Sequence, residues 1–209
     1  SMYIYPYGVL VNRHGRRFTD EAVGPTDETY EAVARDIAAQ PDGISHVILD
    51  AKVKDVPNQQ VAIRTEIPPL EAPTLAALAA KIGVPAAALE ATVAEFNRAC
   101  SDGAFDPRRT DGLATQGLYP PKSNWARPLD KPPFIAYPII SSVVFTFGGL
   151  RVNRRAQVVN NDGDVIPNLY AAGETMGTYY GAYTGATSVL KGAVFGRIAG
   201  VDAAQRRRG

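Results

Sequence analysis

The sequence predicts an α+β protein, and three observations lead to that prediction. Residues 3–12 form a strand-like run of apolar and aromatic side chains. Between residues 27 and 103 apolar residues recur with the spacing of helix faces. From residue 134 the chain returns to short β-rich runs and then ends in one more helix. A helical module is therefore predicted between two β-rich segments.

The first β-rich segment ends at a turn, Arg13-His14-Gly15-Arg16, whose glycine suits positive φ. Arg16 is expected to be exposed there, and Arg17 to pair with Asp20 or Glu21. A helix is predicted from residue 27, with Thr26 or Asp27 as its N-cap. A short buried strand is predicted over residues 46–51.

Two more helices are predicted after a proline-rich stretch. Gly83 suits the end of the first, and Pro85 suits the first turn of the second, whose apolar stripe ends at Cys100. Cys100 is the only cysteine and is expected to be a small core residue. Residues 102–133 have little periodicity and predict a long irregular connection, with Trp125 fixing it to a core.

The C-terminal segment is predicted to be mostly β. Apolar runs cover residues 134–141, 143–147 and 150–152, and a hairpin is predicted to turn at Asn161-Asp162-Gly163. A short strand over residues 168–172 precedes the last helix, residues 188–204. Gly192, Gly196 and Gly200 recur at every fourth position of that helix, which predicts close packing of its backbone.

Composition excludes several classes of function. Lys and Arg total 22 and Asp and Glu total 21, so the net charge of +1 offers nothing to nucleic acid. One cysteine and two distant histidines predict no metal site. No run of 18 apolar residues exists, so no membrane insertion is expected, and the predicted location is cytoplasmic.

The strongest candidate site follows Asn168-Leu-Tyr-Ala-Ala-Gly-Glu174, where a strand leads through a glycine-rich loop into a helix. Ligands of α/β folds collect at such places. The first-turn amides, at Thr187, Ser188, Val189 and Leu190, could donate to a ligand, and Glu174 could accept from two ribose hydroxyls. A plain crossover with Glu174 as a capping or surface residue explains the pattern equally well.

The same stretch, with the terminal Phe-Gly-Arg-Ile-Ala-Gly200, resembles the fumarate reductase/succinate dehydrogenase flavoprotein family. Val9-Leu-Val-Asn-Arg-His-Gly-Arg-Arg-Phe18, Phe145-Thr-Phe-Gly-Gly-Leu150 and the residues 89–97 agree, in family order. The resemblance implies that FAD is the cofactor. It implies that Gly173 and Glu174 contribute to FAD binding, Glu174 through the ribose. It further implies that the turn from Thr187 to Leu190 hydrogen-bonds the flavin's pyrimidine edge.

The resemblance also implies a domain organisation. Residues 27–133 would be a helical capping (substrate) domain, inserted between a β-rich segment, residues 1–26, and residues 134–209. The flanking segments would belong to an incomplete FAD-binding α/β domain. The Gly-x-Gly-x-x-Gly pyrophosphate turn is absent from this sequence. We therefore expect an N-terminal FAD-binding segment of the same protein as partner, no firm FAD retention by this chain alone, and self-association through exposed strand edges.

Family enzymes move a hydride between flavin N5 and a C–C bond beside a carboxylate or ketone, so the implied substrate is a small carboxylate or ketone. Three cationic or imidazole positions of the fumarate reductases differ here: residues 21–26 hold no Arg, and Phe145 and Thr184 replace a His and an Arg. Two carboxylates in a closed pocket need paired cations, so a dicarboxylate reductase is disfavoured. The resemblance is closest to the tricarballylate dehydrogenase-like branch.

Other functions stay open at this point. A 3-ketosteroid dehydrogenase-like enzyme would use a tyrosine as acid or base. The candidate catalytic residues are therefore Tyr180, Tyr183 and Thr184, with Tyr179 nearby. These tyrosines could also simply pack in the loop. A fumarate reductase-like enzyme and an inactive cap or interaction module are the remaining alternatives.

Overall fold

The structure of the protein is a computed structural model that describes residues 2–143, 146–179, 183 and 185–206. The chain divides into two compact units, Ser1–Ser142 and Val143–Gly209. Each unit has its own hydrophobic clusters. The predicted α+β class is confirmed as a mixture of helices and sheets, whereas the insertion of a capping domain stays a prediction.

The N-terminal unit is built on a four-stranded antiparallel sheet with the order β1-β2-β4-β3. The strands are β1 (Val9–Asn12), β2 (Ile44–Leu49), β3 (Leu70–Ala72) and β4 (Phe134–Ile140). Four helices belong to this unit in the described residues: α1 (Thr26–Ala38), α2 (Gln59–Ala62), α3 (Leu75–Ile82) and α4 (Ala86–Ala99).

Both faces of this sheet are buried. Alternate residues of a strand point to opposite faces, so Ile48 joins a cluster with Leu89 and Phe96 of α4. The neighbouring Val47 joins a second cluster with Ile37 of α1. The sheet is therefore the centre of the unit, with helices packed on each side.

Local signals placed α3 and α4 correctly. The Thr74 side chain accepts a hydrogen bond from the Ala77 amide at the start of α3. Gly83 ends that helix with φ 71°, as predicted, because a left-handed residue suits glycine. Pro85 then immediately precedes α4.

Other elements differ from the prediction. The predicted strand over residues 3–12 is a 3-10 turn, Tyr5–Tyr7, followed by β1, because Pro6 cannot donate a ladder hydrogen bond. The N-cap of α1 is Pro25 rather than Thr26 or Asp27. Strand β4 pairs with β2 and β3 in the N-terminal unit, whereas the sequence predicted residues 134–209 as one C-terminal segment.

The long connection before β4 is fixed as predicted. Trp125 is buried, and its Nε1 donates to the carbonyls of Asp106 and Arg109 at 2.9 and 3.0 Å.

Cys100 is half-buried, and burial raises the pKa of its thiol to about 11, so the thiol is protonated near neutral pH.

Charged side chains are also buried in the N-terminal unit. Glu21 is fully buried and accepts from Arg17 Nε and Nη2 at 3.0 and 2.7 Å, which confirms the predicted pairing. Lys122 Nζ lies 3.9 Å from Glu21 and donates to the carbonyls of Pro6 and Gly8. Burial lowers the pKa of Lys122 to about 8, and the Glu21 carboxylate opposes that shift.

The C-terminal unit contains the predicted hairpin, β5 (Gln157–Val159) and β6 (Val165–Tyr170), and the helix α5 (Thr187–Arg206). The predicted strand over residues 168–172 is the end of β6. In place of the predicted strand over residues 150–152, Leu150 and Val152 form isolated bridges, and the described residues of 143–147 form no strand. None of the described helices is both long enough and apolar enough to span a membrane.

Asp202 of α5 ties the hairpin to the helix. Its carboxylate accepts from Arg155 and, at 2.7 Å, from the Tyr170 hydroxyl, and Arg206 lies 3.3 Å away. The Tyr170 hydrogen bond, aided by these two arginines, lowers the pKa of Asp202 below its ordinary value. The unit is thus held by charge pairing as well as by the small cluster around Val158, Ala171 and Met176.

The pKa of Lys122 predicts a specific pH dependence of stability. Between pH about 8 and 10.5 the unfolded chain binds a proton on this lysine that the folded chain releases, so folded stability rises with pH. The contribution is on the order of 3 kcal/mol across that window. Urea unfolding at a series of pH values should show this rise in the wild type and its loss in Lys122→Met.

Lys81→Met is the matched control, because Lys81 is exposed on α3. If the free energy of unfolding changed with pH in the same way in wild type and in Lys122→Met, the lowered pKa of Lys122 would be contradicted.

Candidate functional site

The candidate site lies in the C-terminal unit, where β6 ends and the chain proceeds toward α5. Ala171 and Ala172 lead into a 3-10 turn, Gly173–Thr175. Gly173 opens the turn with φ 67°, a conformation that favours glycine. Met176, directly after the turn, is buried in the cluster of this unit.

A close backbone crossing holds this turn in place. The Leu150 amide donates to the Thr175 carbonyl at 2.7 Å, and the Gly177 amide donates to the Leu150 carbonyl at 3.1 Å. A Cβ atom on Gly149 would lie 2.5 Å from the Gly177 nitrogen and 2.6 Å from the Thr175 carbonyl oxygen. Only glycine fits at position 149. This close approach explains why the Phe145–Leu150 motif has a glycine at its second glycine position.

Glu174 lies in this turn with an exposed side chain. One of its carboxylate oxygens accepts the Thr146 amide at 3.0 Å. A carboxylate has about four acceptor positions, so this bond leaves capacity for further donors. Glu174 therefore bonds the segment that contains Thr146 and also presents a carboxylate at the surface. It is thus compatible both with a capping or surface role and with binding of a ligand.

The start of α5 lies beside the same turn. A Cβ atom on Gly192 would be 3.9 Å from the Gly173 Cα, so the glycine that the sequence marked for close packing faces the turn. Of the predicted first-turn residues, Thr187 and Ser188 are half-buried. Val189 and Leu190 are 73% and 62% exposed. Gly173, Glu174 and these four residues thus lie in adjoining elements, and their role in FAD binding stays a prediction.

One candidate catalytic residue can be placed. The Tyr183 hydroxyl and Ser188 Oγ are 2.8 Å apart, so Tyr183 is linked to the first turn of α5. Its ring makes an edge contact with Tyr179, at 5.3 Å between centroids. Tyr180 and Thr184 lie outside the described residues, as does Phe145.

Lys191 was not among the site residues that the sequence predicted. Lys191 is 6% exposed, and its Nζ donates to the Met176 carbonyl at 3.3 Å. The same Nζ lies 4.4 Å from the centroid of the Tyr179 ring. The available signal was a lone lysine among small and apolar residues one turn after the predicted amides. The contact of Thr146 with Glu174 had no comparable signal.

Metal chemistry has no support in the part of the chain that the structure describes. No group of three or more His, Cys, Asp or Glu side chains there could hold a metal ion. His46 is buried in β2 and burial lowers the pKa of its imidazole, so the neutral ring is favoured. In the described residues the candidate site consists of Glu174, the start of α5, Tyr179, Tyr183 and Lys191.

Comparison with known proteins gives consistent matches. The sequence profile of the family described as "FAD binding domain" matches residues 6–190. NADH:acrylate oxidoreductase from Vibrio harveyi is 36% identical over 201 residues, covering 93% of this chain and 18% of that protein. Urocanate reductase from Eggerthella lenta is 31% identical over 204 residues, covering 94% of this chain and 31% of that protein.

A solved structure is similar over nearly the whole chain. The open conformation of a flavocytochrome c3 fumarate reductase matches with a TM-score of 0.74 and 25% identity, covering 98% of this chain and 34% of that chain. This chain therefore spans between 18% and 34% of the length of these three relatives.

The backbone crossing predicts unequal effects of two neighbouring glycines. Gly149→Ala would force a methyl group into the backbone of residues 175–177, so it should destabilise the C-terminal unit by several kcal/mol or displace the turn. Gly148→Ala is the control, because a Cβ there meets nothing within 4 Å. Thermal unfolding followed by circular dichroism compares the two variants, and equal melting temperatures would refute the crossing.

Proposed function

This chain belongs to the FAD binding domain family, and from that premise we propose that the protein is a flavin-dependent oxidoreductase acting on C–C bonds beside a carboxylate or ketone. The membership confirms the flavoprotein resemblance that the sequence predicts, and FAD is the cofactor of the family. The observation that carries the proposal is the placement of Glu174 in a turn packed against the start of α5.

The described residues fit FAD. Glu174 presents an exposed carboxylate with one recorded donor, so ribose hydroxyls can donate to it. The first-turn amides of a helix are the ones that lack carbonyl partners within the helix, and α5 begins with Thr187, Ser188, Val189 and Leu190. The Leu190 amide donates to the Ala186 carbonyl at 3.5 Å, so the amides of Ser188 and Val189 are the donors that we propose for the flavin. When bound, FAD supplies the hydride chemistry at its N5 atom. The helix start favours negative charge on the pyrimidine edge by about 1 kcal/mol.

Proton transfer would be the task of this chain's own side chains. Tyr183 is the described candidate, because its hydroxyl shares a hydrogen bond with Ser188 at the start of α5. A tyrosine in such a position can act as general acid or base. Tyr180 and Thr184 stay proposals on sequence grounds alone.

The substrate class is supported from two sides. Acrylate, urocanate and fumarate, the compounds in the names of the three relatives, are all carboxylates with a C=C bond conjugated to the acid. This favours reduction of an unsaturated acid as one candidate. The resemblance of Phe145–Leu150 favours the other, oxidation of a saturated acid of the tricarballylate type, since Thr184 and the residues 21–26 lack the paired cations of fumarate reductases.

We also propose that the pyrophosphate of FAD is bound outside the residues of this sequence. This sequence contains no Gly-x-Gly-x-x-Gly turn, and the relatives are several times longer than the matched region. We therefore assign pyrophosphate binding to another segment of the full-length protein.

Flavin spectroscopy tests the function directly. Full-length protein with bound FAD should be reduced anaerobically and mixed with acrylate, urocanate or fumarate, and the oxidised protein with tricarballylate or a 3-ketosteroid. Return or loss of the flavin absorption band identifies the substrate and the direction of the reaction. Failure of every carboxylate and ketone in the panel to change the flavin spectrum would overturn the proposal.

Glu174 variants test the cofactor site. Glu174→Ala should weaken FAD binding by about 10- to 100-fold, because hydrogen bonds to a charged group contribute roughly 1.5 to 3 kcal/mol. Glu174→Gln keeps an oxygen for the Thr146 amide but loses the charge, so it should retain an intermediate FAD content. FAD released from denatured protein gives the measurement, and wild-type content in Glu174→Ala would exclude the assignment.

A further inference from the structure

Lys191 is a buried cation whose recorded partners are neutral. It is 6% exposed, and its Nζ contacts only the Met176 carbonyl and the face of the Tyr179 ring among the described residues. No carboxylate oxygen of the described residues lies within 4.0 Å of Nζ. An ammonium group loses its hydration on burial, and one carbonyl does not replace that hydration.

The acids of the C-terminal unit are committed elsewhere. They number four in the sequence: Asp162, Asp164, Glu174 and Asp202. Asp202 binds Arg155, Arg206 and Tyr170, and Glu174 accepts the Thr146 amide. Asp162 and Asp164 are exposed in the hairpin turn. Eight Lys and Arg residues oppose these four acids, so the unit as a whole has an excess of positive charge.

A second buried polar group, the Tyr179 hydroxyl, has no hydrogen-bond partner among the described residues. Tyr179 touches both Lys191 and Tyr183, and Tyr183 is bonded to Ser188 at the start of α5. The buried ammonium and the buried hydroxyl, both able to donate, therefore belong to two side chains in contact, and Tyr183 connects them to the start of α5.

We propose that Lys191 and Tyr179 form a subsite for a negatively charged group bound at the start of α5. A hydrophobic residue at position 191 would avoid the cost of burying an unpaired charge, so the lysine serves a charge that arrives with a ligand. Two sources share this chemistry: the reduced flavin ring, and a carboxylate of the substrate. The inference rests on the proposed function and adds a binding residue to it.

The test uses full-length protein with bound FAD and three substitutions. Lys191→Met removes the charge and keeps the aliphatic stem, whereas Lys191→Arg keeps the charge. Arg197→Met is the matched control, because it removes a cation from an exposed position of the same helix. Three readouts are the midpoint potential of the flavin without substrate, the binding of acrylate or tricarballylate by flavin difference spectra, and the melting temperature of the apoprotein.

If the flavin is the source, Lys191→Met shifts the ratio of reduced to oxidised flavin at least tenfold toward the oxidised form, about 30 mV for a two-electron couple. If a carboxylate is the source, the potential is unchanged and acrylate or tricarballylate binds at least tenfold more weakly. In either case Lys191→Arg and Arg197→Met stay near wild type, and the Lys191→Met apoprotein melts no lower than wild type.

Unchanged potential and unchanged carboxylate binding in Lys191→Met would overturn the subsite, as would an equal effect of Arg197→Met. A lower melting temperature of Lys191→Met with unaltered flavin properties would assign Lys191 to structure alone. If the purified wild-type protein contained no FAD, the proposed function itself would be overturned. The failure of the subsite and the failure of the proposed function can therefore be told apart.

Discussion

The close approach of two backbone segments at Gly149 and Gly177 is the constraint on which the candidate site depends. Leu150 bonds the chain on both sides of Met176, and a side chain at position 149 would occupy the space of that backbone. This crossing holds the turn that presents Glu174, and α5 packs against the same turn at Gly192. A site built on such rigid backbone contacts keeps its groups in place before a ligand binds.

Buried charges in the two units differ in their partners. In the N-terminal unit Glu21 is fully buried with Arg17 and Lys122 beside it, and backbone carbonyls accept further hydrogen bonds from both cations. That cluster is complete by itself and explains how the segment around Arg17 is held. Lys191 in the C-terminal unit has only neutral partners in the described residues. The Glu21 cluster pairs its cations with an acid of the same unit and is structural, whereas Lys191 has no such acid beside it in the described residues and is the group that we propose for a ligand.

Local chemistry decided what the sequence could predict. Gly83 and the hairpin turn carry their own signals, and the structure agrees with both, whereas Pro85 is the N-cap of α4 rather than part of its first turn. Arg17 pairs with Glu21, one of the two nearby acids that the sequence offered. Strand β3 and helix α2 are too short to show periodicity, and the pairing of β4 with β2 joins residues about ninety positions apart. Lys191 was missed because burial depends on packing that a single helix pattern does not reveal.

The central claim is that FAD binds at the turn containing Glu174 and at the start of α5. Hydrogen exchange of the full-length protein, measured by mass spectrometry with FAD bound and after its removal, tests this most directly. FAD should slow exchange in peptides covering residues 146–150 and 173–190, because contact with the ligand protects their amides and reduces local opening. Equal exchange of these peptides with and without FAD, in protein that demonstrably binds it, would contradict the account.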